Sequence, residues 1–221
     1  MTLPSVLIIL TRTLLALALA VGLWRFRQLT PSLRYLTGLL FFYVLIESVA
    51  FACLKLKKPN LFLIPIAVVG EFWLLTLVFI NALRWPTFTR VAPWLVGLLS
   101  AYVLLDSAVA FEAARFKPSV QIISDLFTLV LSGLYFRKLL HELRVPTLRQ
   151  EPLFWVATAL VVFALGDLLI ALFSNYALTN LSKQMTNYVW AIHNLLSIIL
   201  YGCYGWAFWL SPRKAATLSA A

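Results

Sequence analysis

Charge is scarce in this chain of 221 residues: Asp, Glu, Lys and Arg make up 12% of it, about half the roughly 25% share of a soluble domain. That shortage excludes an ordinary soluble fold. There are two cysteines, Cys53 and Cys203, in separate apolar runs. They read as small buried hydrophobes rather than as a disulfide or a metal pair. The two histidines, His141 and His193, fall short of the three that a zinc hydrolase of the membrane needs. There is no Gly-x-Ser-x-Gly, no Cys/His pair and no phosphate-cradling loop. No metal site and no cofactor is expected from these residues.

Apolar side chains fill the space, at 62% of the sequence. They fall into seven runs, at roughly 4–25, 32–54, 61–84, 92–114, 119–141, 152–175 and 186–210, each near the ~20 residues that a helix needs to cross a bilayer. The runs are too long for barrel strands, and an open sheet edge cannot sit in lipid. The fold class is therefore an all-α integral membrane protein, a seven-helix bundle in a single domain over 1–221 with no soluble domain. The seventh run contains no lysine, which removes a retinal Schiff base.

The net charge is +10. Its Lys and Arg lie mostly between apolar runs, as in loops that touch lipid headgroups, and no basic tract or basic–aromatic patch suggests nucleic acid. One set of loops and the C-terminal tail hold eleven cations, from Arg25 to Lys214, against six on the other side. This bias predicts an N-terminus outside and a C-terminus in the cytoplasm. The first run lacks a basic start and is interrupted by Arg12, so it reads as a helix and not as a signal peptide.

One hexamer returns. YVLIES at Tyr43–Ser48 becomes YVLLDS at Tyr102–Ser107, within LTGLLFFYVLIES and LVGLLSAYVLLDS, which are identical at eight of thirteen positions. LRWPT at Leu83–Thr87 recurs as LRVPT at Leu143–Thr147, again about 60 residues later. The reading is a parallel two-helix repeat (helices 1–2, 3–4 and 5–6) followed by a seventh helix.

Each run also carries a polar group at a similar level: Arg12, Glu47, Glu71, Asp106, Asp125, Asp167 and His193. Counted from the run ends, all lie roughly 10–15 Å below the outer surface. A charge facing lipid costs about 2.5–3.5 kcal/mol, so these groups are expected to point into the bundle. Arg12 and His193 cannot neutralise five acids, so the layer is expected to share protons or hold a cation. Two stripes extend it: Gln121, Asp125, Thr128, Ser132 and Tyr135 in the fifth run, and Trp190, Asn194, Ser197, Tyr201 and Tyr204 in the seventh. Tyr43 and Tyr102 stand one turn before Glu47 and Asp106 and are expected to bond them. Arg12 reads as a counter-ion to one acid, and Glu112 as interfacial.

The function this favours is a receptor-like or sensor bundle whose outward-facing carboxylate pocket takes a cation or a small cationic ligand, with aromatic faces to receive it. The short tail after Trp209 would leave signalling to a membrane or cytoplasmic partner. A proton- or cation-coupled transporter is the second reading, although paired Gly/Pro-broken helices are lacking. A membrane hydrolase is the third.

Overall fold

The computed structural model describes residues 3–58, 60, 62–110, 118–142, 148–180 and 183–211, excepting the side chains of 3–4, 108–110, 118, 142, 173–180 and 183–186. Glu112, the LRVPT echo and the chain after Ser211 lie outside the described residues. Among these residues the chain forms seven helices: α1 (Leu3–Trp24), α2 (Pro31–Lys55), α3 (Leu63–Leu83), α4 (Pro86–Ala110), α5 (Pro118–Glu142), α6 (Pro152–Asn180) and α7 (Lys183–Leu210). All seven are long and apolar enough to cross a membrane, and the protein is a multi-pass membrane bundle.

Proline sets the starts. α2, α4, α5 and α6 each begin on one, where the missing N–H would be unpaired anyway and φ is already helical. This explains the main boundary error. The apolar run predicts a start at about 92, but α4 starts six residues earlier at Pro86. Thr87, Thr89 and Arg90 read as loop because they are polar, yet they form the interfacial first turns of a helix.

The helices close a ring of six, in which α1 packs on α2 and α7, α7 on α6, α6 on α5, α5 on α3, and α3 on α2. α4 stands outside, with its extensive packing on α3 alone. One narrow stripe of it is buried (Ala92, Val96, Ser100, Val103), while Trp94 on its far side is 81% exposed and faces lipid. A parallel two-helix repeat predicts equivalent places for α2, α4 and α6. Two are ring members and one is not, so the packing does not confirm the repeat.

Close apolar packing lies toward the end where α1 and α7 finish. Leu33, Leu36, Leu40, Leu83, Val156, Ala207 and Phe208 are all buried there. A Cβ on Gly22 would stand 2.9 Å from Thr37 Oγ1 and 3.1 Å from the Phe208 ring. Only glycine lets α1 approach α2 and α7 so closely. At the same end, cations cap the negative helix C-termini. Arg25 donates to the Phe208 carbonyl at 2.9 Å, to that of Ser211 at 2.8 Å, and to that of Trp209. Lys138 donates to the carbonyls of Ala82 and Leu83 at 2.8 and 3.0 Å. Two of the cations that suggest an inner face, Arg25 and Lys138, thus have a second reason to be there.

Candidate functional site

The other half of the bundle holds the polar groups. α6 and α7 bring Asp167 and His193 together, with Asp167 Oδ1 2.5 Å from His193 Nδ1. The Asp167 side chain is 6% exposed and that of His193 30%. From α5, Gln121 Nε2 donates to Asp167 Oδ2 at 2.7 Å and reaches Asp125 Oδ1 at 3.4 Å. Asp125 is buried, and its Oδ2 has no hydrogen-bond partner among the described residues. The rings of Phe163 and Trp190 meet the His193 ring edge-on, at 5.7 and 5.9 Å. Trp190 is itself half-exposed, so the group reaches the surface beside it.

Glu71 on α3 faces the same group. The hydroxyls of Tyr43 and Ser124 are its hydrogen-bonding neighbours, and Asp167 and Asp125 are its charged ones. Tyr201 and Tyr204 on α7 lie within its field. This corrects one expectation. Tyr43 turns not to Glu47 on its own helix but to Glu71 on the neighbouring α3, because its ring packs against the core while Glu47 lies at the edge of α2, paired with Arg12.

Glu47 instead receives the Arg12 guanidinium, Nε to Oε2 at 2.9 Å. This pair bridges α1 and α2, the sparsest seam of the ring, and its side chains are 53% and 44% exposed. Tyr201 lies in the field of both Glu47 and Glu71 and so links the two groups. Asn194 departs from the acid layer: Thr11 Oγ1 on α1 reaches its Oδ1 at 3.4 Å, and its amide donates to its own Trp190 carbonyl at 2.8 Å. Asp106 and the exposed Tyr102 sit on α4, outside the ring.

The arrangement is one interhelical acid group of Glu71, Asp125 and Asp167, with Gln121 and His193, and a separate Arg12–Glu47 pair. Such a group can accept protons or a cation from its exposed edge. Among the described residues no three His, Cys, Asp or Glu gather to hold a metal ion, and His141 is in the last turn of α5, away from His193. Ser124 was not anticipated. It is a small hydroxyl beside an acid, and only the α3–α5 packing reveals that it faces Glu71. Comparison with protein families, with curated proteins and with solved structures finds no match.

Proposed function

We propose that this bundle is a receptor-like or sensor protein that takes a cation or a small amine-bearing ligand at the Glu71–Asp125 group. One observation carries the reading. Arg12 is taken up by Glu47 and the His193 imidazole by Asp167, while Asp125 keeps a buried, unpartnered carboxylate oxygen. Among the described residues, the charged neighbours of Glu71 and Asp125 are acids. A buried acid group of this kind is stabilised by an added cation or by protons. The tyrosines around Glu71 and the Trp190 ring suit an ammonium. With the N-terminus outside, the exposed edge at His193 and Trp190 opens to the exterior, and a signal leaves through helix ends to a membrane or cytoplasmic partner.

A thermal-shift series on purified protein, with alkali cations and small amines across pH, tests this. We expect a selective cation to raise Tm by mass action, and Asp125→Asn and Glu71→Gln to abolish that rise. The shift should weaken as pH falls, because protons compete for the same oxygens. No shift with any cation in the wild type, together with higher stability of both variants, overturns the reading. The Asp167–His193 contact favours one alternative, a proton-coupled transporter. An acid and an imidazole at 2.5 Å share a proton readily, and such pairs serve as membrane proton relays.

A further inference from the structure

Polar atoms without a partner are of two kinds in this bundle. The hydroxyls of Thr76 and Ser132 are buried and unpartnered among the described residues. Phe72 packs on Phe127 and Phe79 on Tyr135 between α3 and α5, and these rings shut the hydroxyls off from everything outside the chain. The Arg12–Glu47 pair is the opposite case. Arg12 donates one N–H, from Nε, to Glu47 Oε2. Its two Nη groups and Glu47 Oε1 have no hydrogen-bond partner among the described residues, and both side chains are half-exposed.

Depth decides what they are exposed to. Arg12 and Glu47 lie about 10–12 Å from the nearer ends of their spans, Ser5–Trp24 and Pro31–Lys55, at 1.5 Å per residue. That is well inside a hydrocarbon layer of about 30 Å. One turn nearer those ends, Ile8 and Phe51 are exposed too, so an apolar band separates the pair from the headgroups. The bond from Nε to Glu47 holds the guanidinium at that depth and keeps it from snorkelling. Lipid tails accept no hydrogen bond, and a charge that faces them is costly. The occupant of this surface has to bring an acceptor and a donor to one depth inside the membrane.

A second copy of the chain does so by construction. In the same bilayer its Glu47 lies at the depth of Arg12, and a two-fold axis along the membrane normal brings each Arg12 to the other copy's Glu47. The free Nη groups then meet the free Oε1, in the planar fork geometry that suits a carboxylate. Two arginines and two glutamates leave no net charge. The same side of α1 is small, for Ala16 and Ala20 follow Arg12 by one and two turns and are exposed. Small side chains let helix backbones approach closely in lipid.

We infer that the protein pairs with a second copy of itself across the α1–α2 seam, where Arg12 and Glu47 of both copies complete one ring of ion pairs. The partner covers the sparsest seam of the bundle, and the helices of each copy already pack without it. This goes beyond the proposed function and does not require that the acid group hold a cation.

Energy transfer between full-length copies, labelled on the C-terminal tail in phosphatidylcholine liposomes, tests it over a range of protein-to-lipid ratios. We expect transfer above the chance level for the wild type, and Arg12→Gln or Glu47→Gln to weaken association by more than about tenfold. Arg12→Glu alone and Glu47→Arg alone should not pair with themselves, yet the two mixed together should, because an acidic seam then meets a basic one. A mere folding defect gives no such rescue. Ala16→Phe should block association, whereas Leu98→Phe, on the exposed side of α4, should leave it intact. A wild type that stays monomeric at every ratio overturns the inference. So does association that Arg12→Gln and Ala16→Phe leave unchanged, or a mixture of the two charge variants that shows no transfer.

Discussion

The two halves of the bundle, above and below the level of Thr76, are built on different rules. Below it, side chains such as Leu33, Leu36, Phe79 and Phe208 are buried, and α1 approaches so closely that Gly22 has no room for a Cβ. Above it, acids from α3, α5 and α6 converge, and the α1–α2 seam is bridged by a half-exposed ion pair. Lipid tails are as apolar as leucine, so helix association depends on packing and hydrogen bonds rather than on burial from water. The lower half supplies that packing. The upper half also packs closely in places, as where Gly70 meets Phe42 and Gly166 meets Leu196, but its interior holds the acids as well, and this is where function is expected.

The comparison breaks most visibly at Phe208. Phe208→Ala should cost about 3 kcal/mol in reversible unfolding from lipid, the low end of the soluble range, because lipid replaces water in the reference state. Cation binding by the folded fraction should stay intact. Gly22→Ala should follow at about 1–3 kcal/mol, since Thr37 and Phe208 are buried and have little room to retreat; the same unfolding measurement reads it. Arg12→Gln, in the upper half, should cost only about 0–1 kcal/mol, as an exposed ion pair does. A loss as large as that at Gly22 would mean that the upper half also holds the fold.

The smallest effect concerns Glu151, just before α6. Burial lifts its carboxyl above the ordinary range, although the Leu153 N–H and Lys138 pull it down. A raised folded pKa means that the folded state binds more protons. Its contribution to stability is therefore fully present below the unfolded value, about 4.3 for glutamate, and is lost as pH rises through the folded one. Glu151→Gln should remove that slope and leave the protein slightly more stable at neutral pH, which a Tm series over pH will detect.

Much of this was legible in the sequence, for identifiable reasons. Helix number followed from run length, and most helix starts from proline. The inward face of α5 followed from the spacing of Gln121, Asp125, Thr128 and Ser132. Two residues placed at one level by counting, Asp167 and His193, meet in the structure. Partners were not. Nothing in YVLIES says that Tyr43 turns to Glu71 rather than to Glu47, since the choice depends on how α2 rotates against α3. Thr76 looked like part of a plain apolar run, and its unpaired hydroxyl exists only in the α3–α5 packing. The likeness of YVLIES and YVLLDS also misled in one respect. Near-identical segments put Glu47 at the edge of the ring and Asp106 on a helix outside it, because neighbours and not sequence fix a helix's place.

The most direct test is the cation affinity of Asp125→Asn beside that of Glu47→Gln, by calorimetry on protein in nanodiscs. If the Glu71–Asp125 group is the site, Asp125→Asn loses binding by more than about tenfold, some 1.4 kcal/mol, while Glu47→Gln binds like the wild type. Equal affinity in all three proteins, or a loss confined to Glu47→Gln, would contradict it.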